Sequence, residues 1–176
     1  PYTAFARDPE TLARTLAIPG QEGMEHRIGG LEKDEEGMVS NDPENHGEMS
    51  RLRSEKIARI AEDLPPVRLH GERTGKVLVL GWGGTYGTLT AAIATLISEG
   101  YAVSNANLRN LNPFPTDLGE LLSGFEKVLV PELNDGQLCM MIRARYLVDA
   151  ISFPKLKGRP FKVREIRERV LELLND

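Results

Sequence analysis

Between Lys76 and Leu89 the chain reads KVLVLGWGGTYGTL: a continuous apolar run, a glycine-dense turn, then the opening of a helical pattern. The run VLVL is short, rich in β-branched residues and bounded by turn formers, which predicts a strand covered on both faces. Such a strand belongs to a layered α/β fold, and everything downstream repeats the same alternation beside it.

Thr88 to Glu99 carries Leu89, Ala92, Ile93, Leu96 and Ile97 on one helical face, and Gly100 ends it. A second strand is expected at Ala102 to Leu108, followed by the connection NLNPFP and a short helix from Thr116 to Phe125. Lys127 to Pro131 makes a third strand, after which the loop ELNDG introduces a helix from Gly136 to about Leu147. A fourth strand, Asp149 to Phe153, precedes a last helix over Lys162 to Leu174, with Val163, Ile166, Val170, Leu171 and Leu174 on one face. This alternation predicts a mainly parallel sheet with helices on both faces and right-handed crossovers.

Upstream the pattern is different. Residues 1 to about 45 have little periodicity and many breakers, among them Pro9, Pro19, Gly20, Gly29, Gly30 and Pro43. Irregular stretches this long usually form functional loops, linkers or pieces packed on a neighbouring domain, and the last is expected here. The chain opens at Pro1 inside the turn-prone phrase PYTAFARDPETLAR, as a processed chain or an excised piece would. Asp42, Pro43 and Glu44 form a helix start: a capping carboxylate, a proline in the first turn and an early acid facing the dipole. The helix is expected from Pro43 to Glu62, with Arg51, Arg53, Lys56 and Arg59 as a solvated basic side. Pro65 and Pro66 stop it, and Val67 to His70 is a candidate short strand.

Composition narrows the function classes. The 176 residues are 40% hydrophobic, enough for one domain and an extension. The net charge of −4 provides no broad positive field, so nucleic acid and anionic membrane surfaces are not expected partners. The single cysteine, Cys139, sits in the apolar phrase QLCMMI and reads as a core thiol, not a nucleophile or member of a multi-cysteine metal site. No run reaches the roughly 18 apolar residues of a membrane span, and no basic-then-apolar leader is present, so a cytoplasmic protein is the expectation.

The glycine turn is the first candidate for chemistry, because glycines between a strand and a helix can bring backbone N–H groups against a phosphate. The spacing here is Gly81, Gly83, Gly84 and Gly87, whereas a dinucleotide fingerprint needs a glycine at position 86, which is tyrosine. The second strand also lacks the acid that would hold a ribose, and no Lys-Ser or Lys-Thr pair marks a triphosphate loop. His26, His46 and His70 show no metal-ligand spacing, and no Gly-x-Ser-x-Gly elbow is present. The unusual polar residues instead follow the strands: Thr85 and Tyr86 after the first, Arg109 and Asn112 after the second, Glu132, Asn134 and Gln137 after the third. They contain no acid/base pair with a nucleophile. On the residues alone, an α/β module that binds a small anion or nucleotide through the glycine turn stays open beside a domain whose edge faces another protein surface.

Several separated phrases in order then carry a resemblance: GQEGMEHRIGGLEKDEEG, DPENH, LGWGGTYG, LRNLNPFP and PELNDGQL. Together they resemble the carboxy-terminal part of the alpha subunit of 2-oxoacid:ferredoxin oxidoreductases, the 2-oxoglutarate type above all. The resemblance implies a three-layer α/β/α sandwich with a mostly parallel, mixed sheet, like the transketolase carboxy-terminal domain, over residues 75–176. Residues 1–74 would form an irregular extension and helical linker. It also implies a whole enzyme that uses thiamine diphosphate, coenzyme A and an iron–sulfur cluster, with a beta subunit and ferredoxin as partners. This chain would then be an assembly domain, binding none of these groups and inert by itself. Gly81, Gly83, Gly84, Asn134, Gly136 and Gln137 are the motif positions it carries over, as interdomain contacts, and Thr85 and Arg109 join them as candidates on the ligand edge. No catalytic or metal residue is expected. Removing natural neighbours would uncover apolar surface, which leaves a homodimer of this chain open.

Overall fold

The computed structural model describes residues 2–176. They divide into two compact units, one ending at Asp63 and the other beginning at Leu64.

In the first unit, the irregular stretch is held by short-range contacts and two isolated β-bridges, Arg7 with Arg14 and Lys33 with Val39. Asp8 caps a tight turn, accepting from Thr11 N–H at 2.7 Å and from the Thr11 hydroxyl at 2.9 Å. The helix α1 spans Pro43–Arg59, and a 3-10 turn continues it to Asp63. Its start is the one expected, with the Asp42 carboxylate accepting from Glu44 N–H at 3.0 Å and Pro43 in the first turn. The extension is fastened along α1: Arg59 donates to the carbonyls of Pro9 and Glu10. Glu32 meets Arg53 at 2.7 Å and His46 at 2.5 Å. Arg51 and Arg59 pair with Glu48 and Glu55 on the helix itself.

The second unit holds a five-stranded sheet ordered β1-β3-β2-β4-β5: β1 (Leu69–His70), β2 (Gly75–Trp82), β3 (Val103–Leu108), β4 (Phe125–Glu132) and β5 (Ile151–Pro154). Neighbours among β2 to β5 run parallel, and β1 is an antiparallel edge on β3. Residues 64–74, grouped with the extension in the expected division, contribute this edge strand: Leu69 registers with Ala106 and His70 with Asn105. The crossovers contain α2 (Tyr86–Ser98), α3 (Leu118–Ser123) and α4 (Gln137–Tyr146), and α5 (Val163–Asn175) closes the chain.

The period of two along β2 sorts the core into two layers. Leu78 and Leu80 face α3 and α4, where they meet Leu118, Leu122, Leu138 and Ile142. Val77 and Val79 face the other way, against Ile93 and Leu96 of α2 and Ile166 and Val170 of α5. All four β2 side chains are fully buried, each contributing about 1.5–3 kcal/mol of apolar transfer, which is why this strand is uninterruptedly apolar. The result is the three-layer α/β/α sandwich with a mixed sheet. No helix among the described residues is long and apolar enough to cross a membrane.

Candidate functional site

In open α/β sheets the crevice for a ligand opens where consecutive strands leave a common neighbour in opposite directions. Here β3 lies on one side of β2 and β4 on the other, so that point is the carboxyl edge between β2 and β4. Its walls are Trp82, Gly83, Gly84 and Thr85 after β2, and Leu133 and Asn134 after β4, around a space of about 260 Å³.

Each glycine of the turn has its own reason. A Cβ on Gly81 would stand 2.3 Å from Leu89 Cδ1 and 2.8 Å from Thr85 Oγ1, so α2 can pack against β2 only if this position is bare. Gly83 has φ +57° and directs the chain into a 3-10 turn, and Gly84 faces open space. Thr85 is 5% exposed and its hydroxyl donates to the Trp82 carbonyl at 2.9 Å, so it ties the turn and is not offered to a ligand.

The opposite wall is fixed in the same way. Asn134 Oδ1 accepts from the N–H groups of Gly136 at 2.9 Å and Gln137 at 3.0 Å, closing the loop before α4. Gly136 has φ +83°, and a Cβ there would meet Ser152 Oγ at 2.7 Å. Gln137 begins α4 on the exposed side. Glu132 is buried, 1% exposed, and its carboxylate accepts from the N–H groups of Leu138 at 2.8 Å and Cys139 at 3.0 Å. It therefore serves the first turn of α4 and its dipole. Its Oε1 also accepts from the Trp82 indole at 3.3 Å, which bridges the crevice.

On the β3 side of the edge, Arg68, Trp82, Gly83, Tyr86, Asn107 and Arg109 enclose a second recess of about 380 Å³. Arg68 and Arg109 have no ion-pair partner among the described residues. Asn107 lies opposite Gly81 in the register, and its Oδ1 is buried without a donor. Sequence reasoning passed over Asn107 and Arg68, whose only signal was position, near the end of β3 and just before β1.

Of the expected site residues, Gly83, Gly84, Thr85 and Asn134 line this crevice and Arg109 lines the adjoining recess, whereas Gly81 and Gly136 are buried behind the turns and Gln137 starts α4 outside it. None is positioned as a nucleophile. Cys139 lies on the buried face of α4, its thiol donating to the Ala150 carbonyl at 3.4 Å, and burial pushes its pKa up. No trio of His, Cys, Asp or Glu among the described residues lies close enough to hold a metal ion.

Comparison with known proteins gives the lineage. No family model matches the chain. The 2-oxoglutarate oxidoreductase subunit KorA of Mycobacterium tuberculosis is 47% identical over 169 residues, covering 94% of this chain and 25% of that protein. Subunit alpha of 2-oxoacid:ferredoxin oxidoreductase 2 of Aeropyrum pernix is 36% identical over 154 residues, covering 82% of this chain and 24% of that protein. Among solved structures, the 2-oxoglutarate:ferredoxin oxidoreductase from Magnetococcus marinus, with 2-oxoglutarate, coenzyme A and succinyl-CoA bound, superposes with a TM-score of 0.91. It is 30% identical, and the match covers 98% of this chain and 31% of that one. The layered α/β chain is thus related to subunits of oxidoreductase enzymes. It belongs with the alpha subunits of the 2-oxoacid:ferredoxin oxidoreductases, and it spans about a quarter of the length of the curated relatives it matches.

Proposed function

We propose that the chain is the carboxy-terminal part of the alpha subunit of a 2-oxoglutarate:ferredoxin oxidoreductase, working in the cytoplasm with a beta subunit and ferredoxin. The whole enzyme would decarboxylate its 2-oxoacid oxidatively, form the acyl-CoA and pass electrons to ferredoxin. The observation that carries this reading is the 47% identity to a 2-oxoglutarate oxidoreductase subunit across 94% of the chain.

Within that enzyme the role of this chain is assembly. The residues present do not fit the redox and thiamine groups: Cys139 is the one cysteine, where an iron–sulfur cluster takes several thiolates, and among the described residues no trio of acids or histidines is grouped for a metal-borne diphosphate. Thiamine diphosphate and the cluster are therefore assigned to the rest of the enzyme. Gly81, Gly83, Gly84, Thr85, Asn134, Gly136 and Gln137 shape a contact edge, with Arg109 beside them. The extension supplies a second surface, since Leu16, Ile18, Ile28 and Leu31 within it are all exposed.

The test is reconstitution. The full subunit with its partner should reduce ferredoxin only when 2-oxoglutarate and coenzyme A are both supplied, whereas calorimetry of the 176-residue chain with thiamine diphosphate should show no binding. Failure of the assembled enzyme with any 2-oxoacid would overturn the family activity. Tight thiamine diphosphate binding by the chain alone would overturn the assembly role.

A further inference from the structure

In the first unit, the extension and α1 enclose a cavity of about 620 Å³. That is within the roughly 300–1,000 Å³ range of small-molecule sites. Its charge is one-sided. Arg7, Arg14, Lys33, Arg53 and Lys56 line it, and the single lining acid, Glu32, is engaged by His46 and Arg53.

The cations are satisfied only in part: Arg53 pairs with Glu32 at 2.7 Å, and Arg7 donates to the Leu12 carbonyl at 3.0 Å. Lys33 is 5% exposed, and its ammonium donates to the carbonyls of Gly29 at 3.2 Å and Leu31 at 2.8 Å, neither of them anionic. A buried ammonium without a counter-charge is costly to keep. The Nε of Arg7 is buried with no acceptor among the described residues, and burial together with Arg14 and Arg53 draws the pKa of Arg7 down. Arg14 lies over the Phe5 ring at 4.2 Å, and neither it nor Lys56 has an ion-pair partner among the described residues. Gly29 and Gly30 add bare backbone, with open space where side chains would stand.

We propose that this cavity binds a phosphate-bearing anion, its charge shared among Arg7, Arg14, Arg53 and Lys56. Guanidinium groups match phosphate oxygens in two-point geometry, and several dispersed cations suit a multiply charged ligand better than a single carboxylate. The apolar side of the cavity, Phe5, Met49 and Ile57, gives room for an organic group attached to the phosphate. The basic side of α1 is thus divided: Arg51 and Arg59 are neutralised by acids of the same helix, while Arg53 and Lys56 face the cavity.

The experiment is calorimetric titration, at low salt, of the full protein carrying this chain with inorganic pyrophosphate, adenosine 5′-diphosphate and succinate. Arg14→Gln and Lys56→Gln remove cations that hold no ion-pair partner among the described residues, and Arg164→Gln on α5 is the control. The expected result is one saturable pyrophosphate site per chain, weakened about tenfold by each of the first two variants and unchanged by the control. Tighter binding of the adenosine diphosphate than of pyrophosphate, lost in the same variants, assigns the site to an organic phosphate; weaker binding assigns it to the free ion. Succinate binding as tightly as pyrophosphate, absence of saturation, or equal affinity in all variants would overturn the proposal.

Discussion

The Trp82 indole N–H donates to Glu132 Oε1 at 3.3 Å, from the end of β2 to the end of β4. The same carboxylate accepts from Leu138 and Cys139 at the start of α4, so one buried acid fixes both walls of the crevice. Removing it should orphan two helix amides and one indole donor together. Glu132→Ala is expected to lower unfolding stability by about 3 kcal/mol and Glu132→Gln by about half that, measured by urea denaturation. A loss under about 1 kcal/mol for the alanine variant would show that the acid does not bind the walls together.

The turn glycines should separate by position. Gly81→Ala drives a methyl toward Leu89 and Thr85 and should cost about 2 kcal/mol. Gly83→Ala meets no atoms but sits at φ +57°, with an expected cost of about 1 kcal/mol. Gly84→Ala should lie within about 0.5 kcal/mol of the parent. Thermal unfolding of the three variants decides the matter, and equal losses at all three would contradict a purely geometric role.

At the far end of β5, Lys155 meets Glu165 at 2.6 Å, and the same carboxylate accepts from the Lys162 N–H. The Lys155 hydrogen bond and then the backbone bond hold the Glu165 pKa below its ordinary 4.5. In the unfolded chain this group takes up a proton first as pH falls. Its stabilisation is therefore complete above about pH 4.5 and lost as pH drops through the folded value. Glu165→Gln should flatten that part of the stability–pH curve while leaving the neutral region steeper by nothing. An unchanged acid limb would exclude the pair as a contributor.

Cys139 offers a probe of the core. Burial raises its pKa, and it sits on the face of α4 turned to the sheet, so an aromatic disulfide reagent at pH 8 should react at least about a hundredfold more slowly with the folded chain than with the urea-unfolded one. Rapid reaction in the folded state would mean that α4 opens readily from the sheet.

The extent to which this was legible from residues follows from the range of the forces involved. The apolar run of β2, the stripe Ile166, Val170 on α5 and the cap Asp42 with Pro43 are signals confined to a few neighbouring residues, and each predicted element is present within a few positions. The helix after the glycine turn begins at Tyr86, two residues before the apolar stripe suggested, because the 3-10 turn of Gly83–Thr85 winds directly into it. The candidates Gly81, Gly83 and Asn134 were legible as turn formers, since glycine and asparagine carry backbone meanings of their own.

What a single sequence determines here is the alternation of strand and helix, which local periodicity and turn chemistry write directly into the residue order. The order of strands in the sheet, the antiparallel placement of β1, the meeting of Trp82 with Glu132 fifty residues away, and the convergence of Arg7 and Arg14 with Arg53 and Lys56 on one cavity were decided only by tertiary structure. Those pairings depend on which buried faces find each other, and no local pattern of side chains encodes a partner that distant in the chain.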